Sequence, residues 1–393
     1  MIATCMGAVS LLVWIYLILA RGGFWRMRTD RGPSVGQAVP VRKIAIIVPA
    51  RDEAAVVAQA VQSLLRQTYP GPTHIFLVDD HSSDATAEIA RQAAHDAGTP
   101  DRLSVVEAQA LPGGWTGKLW AVSQGLQAAT SFDADYYLLA DADVVHQPDN
   151  LGGLVLRAES GNFDLVSLMV KLRCESLAER LLIPAFVFFF FKLYPPAWVA
   201  RPGRRTAAAA GGCMLIRPAA LARIGGIAAI RDQLIDDCAL ARAVKSGGRI
   251  WLGPTAGASS LRSYQSWSEI GRMISRTAFT QLRHSTLLLF AVFAGMTITY
   301  LAPPMLVGFG PLLGPWAPAF GATAWLLQSI AYWPTLRLYG LSPMWAPLLP
   351  LGSLFYLGAT ILSAVQYWQG RGGQWKGRVQ MPQPRASTRV DIQ

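Results

Sequence analysis

The chain has 393 residues, of which 52% are hydrophobic, and its mean hydropathy of +0.30 is too high for an ordinary soluble enzyme. Its formal net charge of +11 would suit nucleic acid, but the basic residues cluster beside apolar stretches, which indicates a membrane bilayer as the partner and no nucleic acid. The scattered cysteines Cys5, Cys174, Cys213 and Cys238 form no C-x-x-C pair, which argues against structural zinc and against a disulfide framework.

The first segment, residues 2–20, is apolar and long enough to span a bilayer. Arg21, Arg26 and Arg28 follow it, and it has neither the preceding positive charge nor the cleavage site of a secretory signal peptide. Because basic flanks favour the cytoplasmic side, residues 1–28 are predicted to form a transmembrane anchor that places the following chain in the cytoplasm. Residues 29–41 are rich in Gly and Pro and are predicted to form a linker.

Residues 42–262 alternate between strand-like and helix-like segments, which predicts an α/β domain with a mainly parallel sheet covered on both faces. Predicted strands cover residues 43–48, 74–78, 103–106, 136–140, 163–169, 213–216 and 249–252. Predicted helices cover residues 53–67, 86–97 and 118–129, the second of them capped by Ser83 or Asp84. Ligands of such sheets bind at the carboxyl ends of the strands, so the site is expected there.

The strand predicted at residues 136–140 leads directly into Asp141 and Asp143, two aspartates separated by a small alanine. This spacing can turn one or both carboxylates toward a common point beyond the sheet. Hard oxygen ligands suit Mg²⁺ or Mn²⁺, ions that are commonly held by a few carboxylates and by substrate phosphates. The structural alternative is an acidic turn that caps the following helix, continued by Asp149 and Asn150.

Acidic residues also end the first two predicted strands. Pro49, Arg51 and Glu53 lie where the first strand enters its helix, and Asp79 and Asp80 end the second strand. Carboxylates here could accept hydrogen bonds from a nucleobase or a ribose. Helix capping accounts poorly for the adjacent aspartates, because two like charges side by side are costly without a partner.

Two later segments contain further candidates. The glycine-rich loop at residues 112–118 precedes a helix, so its backbone amides and Lys118 could meet a diphosphate, although the spacing is not that of a Walker A loop. Asp236 and Asp237 precede a predicted helix, and a carboxylate there could act as a general base if the fold brings it to the cleft. The alternative for these aspartates is helix capping.

Two segments are predicted to contact the bilayer surface. Residues 181–199 contain four consecutive phenylalanines but also prolines and Lys192, which favours an element in the membrane interface over the alternative of a buried core helix. Residues 263–284 mix Trp, Ile, Met and Phe with arginines that include Arg276, and they are predicted to form an interfacial amphipathic segment.

Residues 285–368 are predicted to form a C-terminal transmembrane region with three apolar stretches, at residues 286–308, 317–333 and 341–365. Three spans would leave the C-terminus outside, whereas Arg371 and its basic neighbours favour the inside. One stretch is therefore a candidate for a re-entrant segment. Residues 369–393 are predicted to form a basic tail.

The ordered acidic motifs resemble those of family 2 glycosyltransferases with a GT-A fold. The motifs are V-P-A-R-D-E at residues 48–53, V-D-D-H-S-S-D at 78–84, D-A-D at 141–143 and D-D-C-A-L at 236–240. The loop G-G-W-T-G-K-L-W-A at residues 113–121, W-K-G-R at 375–378 and the terminal membrane segments narrow the resemblance to the hopanoid-biosynthesis-associated glycosyltransferase subfamily. The resemblance covers residues 43–378.

This resemblance implies a Rossmann-like GT-A domain, a nucleotide-sugar donor that is a UDP-sugar, and Mg²⁺ or Mn²⁺ as cofactor. Asp80 and Glu53 would contact the uridine, Asp141 and Asp143 would hold the donor and its metal, and Asp237 would be the base. Together with Pro49, Arg51, Asp79, Lys118, Asp236 and Arg276 as further substrate-binding candidates, these residues form the predicted site.

Processive members of the family carry Q-x-x-R-W after the base, whereas residues 273–277 retain only the arginine, Arg276, which favours a single transfer. The expected protein is a multi-pass enzyme of the cell inner (plasma) membrane with a cytoplasmic catalytic domain. It would be an inverting hexosyl- or hexosaminyltransferase acting on a lipid hydroxyl, with a role in hopanoid biosynthesis implied by the resemblance. The alternatives are transfer to a polyprenyl phosphate and a non-catalytic membrane-binding protein.

Overall fold

The structure, a computed structural model, describes residues 1–29, 38–312, 314–371, 374–375 and 378–379. Most of the predicted linker at residues 29–41 and most of the predicted basic tail at residues 369–393 lie outside these described residues.

A single eight-stranded sheet organises the predicted catalytic domain. Its strands are β1 (Ile44–Ala50), β2 (Thr73–Asp79), β3 (Leu103–Glu107), β4 (Tyr136–Ala140), β5 (Val144–His146), β6 (Leu165–Lys171), β7 (Cys213–Ile216) and β8 (Ile250–Ser260). Their order across the sheet is β3-β2-β1-β4-β7-β6-β8-β5. The pairs within β3-β2-β1-β4 and the pair β6–β8 are parallel, so the prediction of a mainly parallel sheet is confirmed. Strand β7 is antiparallel to β4 and β6, and β5 is antiparallel to β8.

The helices pack on both faces of the sheet and form the terminal regions. They are α1 (Ile2–Leu19), α2 (Val57–Leu65), α3 (Thr86–Asp96), α4 (Gly117–Ala128), α5 (Asn150–Gly161), α6 (Leu177–Leu193), α7 (Pro196–Val199), α8 (Pro218–Arg223), α9 (Asp236–Lys245), α10 (Trp267–Ser275), α11 (Ala278–Gln281), α12 (Thr286–Met296), α13 (Ala302–Phe309), α14 (Ala317–Leu338) and α15 (Leu349–Trp368). A π-helical turn, Thr297–Leu301, joins α12 to α13. Residues Gln374–Trp375 and Arg378–Val379 form a short antiparallel pair, β9 and β10.

Strand β1 lies in the middle of the parallel part of the sheet, and its residues are buried throughout. Ile44 and Ile46 belong to the hydrophobic core on one face, whereas Ala45 and Ile47 belong to the core on the other. This double burial is why the strand is a continuous apolar run rather than an alternating one. On the second face α4 packs closely, because a Cβ on Gly125 would lie 2.6 Å from Ile47.

Some helices begin at other residues than predicted, because a turn separates them from the preceding strand. The helix predicted at residues 53–67 begins at Val57, because Asp52 takes a left-handed conformation with φ of 50° and the chain turns before the helix. After Asp143 the chain enters β5 rather than a helix, so the acidic pair does not form the capping turn considered as an alternative. The N-cap of α3 is Ala85 rather than Ser83 or Asp84 as predicted, because the helix begins at Thr86, and Asp84 accepts a hydrogen bond from the Thr86 amide at 3.1 Å from one position farther out.

Among the described residues, four helical segments are long and apolar enough to cross a membrane: Ile2–Leu19, Leu177–Val199, Thr286–Phe309 and Pro343–Trp368. Helix α14, which was predicted to span, does not meet that criterion, since its second half contains Gln328, Thr335 and Arg337. In α6, Phe188 and Phe191 are fully buried, which agrees with the buried-helix alternative rather than with an element lying on the surface.

The predicted interfacial segment forms α10 and α11, and α15 lies along both. Phe355 packs on the ring of Trp267 at the start of α10, with centroids 6.0 Å apart. Farther along α15, Tyr367 stacks on His284, which follows α11, with centroids 4.1 Å apart. The three helices therefore run side by side.

Candidate active site

The predicted site motifs meet at one edge of the sheet. Strands β2, β1 and β4 are parallel neighbours, so Asp80, Arg51 and Asp141 follow them at the same edge. Strand β7 is antiparallel to β4, with Cys213 opposite Ala140, and this brings the residues that precede β7 to the same edge. The sheet topology alone thus gathers groups that are far apart in the chain.

Lys118 connects two of the acidic motifs. It lies in the first turn of α4, behind Thr116, whose hydroxyl accepts a hydrogen bond from the Leu119 amide. Its Nζ lies 2.7 Å from Asp141 Oδ1 and 3.7 Å from Asp236 Oδ2. Burial alone would lower the pKa of Lys118, but these two carboxylates raise it above its ordinary value. The ammonium therefore stays charged.

Asp237 lies beside this ion pair, in the first turn of α9. Its carboxylate accepts hydrogen bonds from the Gly211 amide at 3.0 Å and from the Cys238 amide at 2.6 Å. Burial and the neighbouring Asp236 carboxylate raise the pKa of Asp237 to about 6, although the amide hydrogen bonds and Lys118 act in the opposite direction. A carboxylate with this pKa is ionised near neutral pH and is basic enough to take up a proton.

Gly211 was not predicted as a site residue, but its lack of a side chain lets Lys118 and Asp237 approach each other. A Cβ on Gly211 would lie 3.4 Å from Lys118 Nζ and 3.5 Å from Asp237 Oδ2, so a side chain there would crowd both groups. A narrow pocket at this position is lined by Pro49, Lys118, Asp141, Gly211 and Asp236, among others. Pro49, one of the predicted site residues, therefore borders the same pocket as Lys118 and Asp141.

A second cation, Arg262, was also missed by the sequence analysis. It follows β8, and its guanidinium lies 3.2 Å from Asp143 Oδ2 through Nε and 3.0 Å from Glu53 Oε1 through Nη2. The Ser260 hydroxyl donates to the same Asp143 oxygen at 3.1 Å. Asp143 and Glu53, predicted for different roles, are thus joined by one side chain. In the sequence, the one local indication that Arg262 pairs with these carboxylates is its position just after a strand.

The loops after β1 and β2 are tied together by hydrogen bonds. Asp52 Oδ1 accepts from the Ser83 amide at 2.7 Å and from the Ser83 hydroxyl at 3.0 Å. These bonds hold the pKa of Asp52 below its ordinary value. Asp52 therefore has a structural role that positions both motifs.

The adjacent aspartates after β2 each have a partner. Asp79 accepts a hydrogen bond from the Ser82 hydroxyl. Asp80 is 1% exposed, and Arg51 Nη1 lies 3.8 Å from its carboxylate and donates to its backbone carbonyl at 2.5 Å. The electrostatic cost expected for this pair is offset by these contacts.

Arg276 lies at the C-terminal cap of α10, where it is exposed. Burial raises the pKa of the Tyr264 phenol and Asp143 raises it further, whereas the positive charges of Arg262 and Arg276 act in the opposite direction. Arg276 therefore lies within electrostatic reach of the Tyr264 phenol, as Arg262 does.

The two aspartates predicted to hold a metal face different cationic side chains. Lys118 contacts Asp141, and Arg262 contacts Asp143. Within the described ranges, no group of three or more His, Cys, Asp or Glu side chains is close enough to hold a metal ion by itself. The carboxylate oxygens of Asp141 and Asp143 are hard ligands that suit a divalent cation, and each already pairs with a positive side chain. The remaining ligands of such an ion would come from the donor's phosphates and from water.

The α/β sheet with charged residues at its carboxyl edge is the GT-A fold of glycosyltransferases. Residues 45–225, which run from β1 through α8, match the family described as Glycosyl transferase family 2. The match covers just under half of the 393 residues and supports glycosyltransferase activity for this part of the chain.

A solved structure agrees with the fold over almost the whole chain. The mannosyltransferase PcManGT from Pyrobaculum calidifontis, in complex with GDP-Man and Mn²⁺, superposes with a TM-score of 0.56 at 17% sequence identity. The match covers 92% of this chain and 99% of that chain. The predicted GT-A fold is confirmed.

Two curated relatives are similar over part of the chain, and both are undecaprenyl-phosphate 4-deoxy-4-formamido-L-arabinose transferases. The protein from Pseudomonas savastanoi pv. phaseolicola is 29% identical over 147 residues, which is 36% of this chain and 40% of that protein. The protein from Salmonella paratyphi B is 27% identical over 149 residues, which is 36% of this chain and 41% of that protein. The chain thus spans less than half the length of these relatives.

Proposed function

We propose that the protein is a membrane-bound inverting glycosyltransferase that transfers one sugar from a nucleotide-sugar to a hydroxyl group of a lipid. The observation that supports this most strongly is Asp237, a carboxylate with its pKa raised to about 6 beside the Lys118 ammonium. A hydroxyl nucleophile loses its proton as it attacks, and a positioned base with a pKa near the working pH accepts that proton efficiently.

We assign the charged residues of the site either to binding of the sugar donor or to activation of the acceptor. Lys118 and Arg276 supply positive charge for the donor diphosphate, whereas Glu53 and Asp80 supply acceptors for its nucleoside. Asp141 and Asp143 would hold Mg²⁺ or Mn²⁺ together with the donor phosphates, and the ion would stabilise the charge that develops on the leaving diphosphate. Asp237 takes the acceptor proton, and Asp236 keeps Lys118 in place.

A lipid acceptor follows from how the base helix is packed. Leu240 of α9 belongs to the same buried hydrophobic cluster as Phe188 of α6 and Tyr300 of the π-helical turn. Lys245 of the same helix also donates hydrogen bonds to the carbonyls of Trp198 and Val199, at the end of the Leu177–Val199 segment, which is apolar enough to cross a membrane. A hopanoid or related polycyclic lipid, and UDP as the donor nucleotide, are proposed from the motif resemblance.

A polyprenyl phosphate is the second candidate acceptor, favoured by the names of the two curated relatives. Its phosphate is already ionised and needs no base, so the two acceptors differ in their dependence on Asp237. A non-catalytic role is disfavoured, because a protein without this chemistry gains nothing from keeping several carboxylates close together.

We further propose a multi-pass arrangement in the inner membrane with the catalytic domain in the cytoplasm, as Arg21, Arg26 and Arg28 after α1 favour. Helix α15 is proposed to lie along the membrane surface rather than cross it, because it packs lengthwise on the amphipathic helices α10 and α11. We propose α14, which packs against α1 at Gly7, as the segment that returns the chain after α12–α13 to the catalytic side. The chain after α15 then stays on that side, which suits Arg371 and removes the conflict that three spans would create.

The direct test is to incubate the purified full-length protein with several nucleotide-sugars, Mn²⁺ and a membrane lipid extract, and to analyse the lipids by mass spectrometry. We expect a lipid that has gained one sugar. Modification of polyprenyl phosphate alone would select the second candidate, and the absence of a glycosylated lipid with every donor would contradict both.

A further inference from the structure

We propose that Arg262 occupies the cation position of the donor site when the site is empty, and that it moves to the donor diphosphate when a divalent ion takes its place. This inference rests on the proposed function, since it assigns a further residue to the same donor site.

The first observation is the position of the guanidinium. It lies between Asp143 and Glu53, 3.2 Å from one carboxylate and 3.0 Å from the other. Both acidic residues are distant in sequence from the end of β8, which positions the arginine: Ser260 and Asp143 are 117 positions apart, and Arg262 and Glu53 are 209 positions apart. Arg262 thus neutralises Asp143, one of the two carboxylates proposed to hold the divalent ion, and Glu53, which is proposed to contact the nucleoside.

The second observation is the difference in exposure among the three side chains. Asp143 is 13% exposed and Glu53 is 14% exposed, whereas Arg262 is 42% exposed. The carboxylates are therefore fixed in the protein, while the arginine reaches them from the solvent side. When a competing cation arrives, Arg262 is the group that can move.

The third step concerns where the arginine goes. Asp143 Oδ2 accepts from both Arg262 and the Ser260 hydroxyl, so an ion on that oxygen displaces the guanidinium. A planar guanidinium binds phosphate through two parallel N–H groups, and a diphosphate bound next to Asp143 is the nearest new anion. Arg262 would therefore oppose metal binding in the free protein and support nucleotide binding in the metal-loaded protein.

The test uses full-length protein in detergent micelles and the variant Arg262→Gln. Binding of Mn²⁺ alone is measured from the signal of free Mn²⁺ in electron paramagnetic resonance. We expect the variant to bind Mn²⁺ about three- to tenfold more tightly, because the guanidinium that competes for Asp143 is removed. With Mn²⁺ saturating, calorimetric titration of UDP, and of GDP in parallel, should give about tenfold weaker binding, because one charge-assisted contact is lost.

Arg91→Gln is the matched control, since Arg91 also forms a solvent-accessible ion pair, with Glu88 at 3.4 Å, on a helix that the proposed mechanism does not use. It should change neither affinity. Arg262→Lys keeps the charge but cannot reach both carboxylates with one planar group, so it should give an intermediate Mn²⁺ affinity. This second variant keeps the test available if Arg262→Gln does not fold.

Unchanged or weakened Mn²⁺ binding in Arg262→Gln would overturn the proposal, and so would tighter Mn²⁺ binding with undiminished affinity for both nucleotides. The Mn²⁺ titration contains neither donor nor acceptor. Its result therefore does not depend on which sugar or lipid the protein uses. The titration can be interpreted even if the proposed transfer reaction is not observed.

Discussion

Replacing Lys118 with Met should move the pH dependence of transfer, because the Lys118 ammonium helps to keep Asp237 ionised. Lys118 Nζ and Asp237 Oδ2 lie 3.4 and 3.5 Å from the same point beside Gly211. They are therefore at most about 7 Å apart, where two unit charges interact by about 2 kcal/mol at an effective dielectric constant of about 20. Losing that attraction raises the pKa of Asp237 by about one to two units.

The direction of the effect follows from the sign of the charges. In the wild-type protein the pKa of Asp237 is raised to about 6, so the base is lost as the pH falls through that value. In Lys118→Met the midpoint of this loss should move to about pH 7 to 8, so that at pH 7 the ionised fraction of Asp237 falls from about nine-tenths to between about a half and a tenth. Raising the pH should restore part of the activity.

The assay is the pH profile of kcat/KM, followed with labelled nucleotide-sugar and extraction of the lipid product. The position of the acidic limb is the measured quantity, since Lys118 is also proposed to bind the donor, in which case the variant is slower at every pH. Lys118→Arg keeps the charge and should keep the wild-type midpoint. An acidic limb that stays near pH 6 in Lys118→Met, or moves lower, would refute the electrostatic coupling.

Two further predictions concern the metal and the membrane. Removal of divalent ions with EDTA should weaken UDP binding strongly, and Asp143→Asn should do the same because a neutral amide is a poorer ligand; unchanged calorimetric affinity in either experiment would remove the metal role. Reporter domains inserted at Gly98, a surface turn between α3 and β3, and at Gly370, after α15, should both report the cytoplasmic side. A periplasmic signal at Gly98 would reverse the proposed orientation, and one at Gly370 would show that α15 crosses the membrane.

Much of the sheet can be predicted from the sequence because its strands are apolar runs with polar ends. Tyr136–Ala140 and Cys213–Ile216 have the predicted limits, since each run is buried on both faces and stops where a polar residue or a turn begins. The convergence of the acidic motifs also follows, because parallel neighbouring strands end at one edge. These features depend on local patterns and on a general rule of topology.

The residues that were missed depend on contacts without a local signature. Arg262 pairs with Glu53, which is 209 positions away in the sequence, and no motif around either residue predicts the ion pair. Gly211 matters because Lys118 and Asp237 approach it from two separate helices. The predicted start of α2 was four residues too early, because the periodicity of apolar residues does not reveal the turn at Asp52. Periodicity predicts elements, whereas the positions of side chains between elements require the folded chain.

The most direct measurement of the central claim is the rate of sugar transfer to the lipid acceptor by Asp237→Asn. This substitution keeps the size of the side chain and removes its basicity. A positioned base typically contributes about 10²–10⁴-fold in rate, so kcat should fall by about that factor while nucleotide-sugar affinity stays near the wild-type value. Asp236→Asn, which alters the group that pairs with Lys118 at 3.7 Å, should lose less. An Asp237→Asn enzyme with the wild-type rate would contradict transfer to a hydroxyl by general-base catalysis.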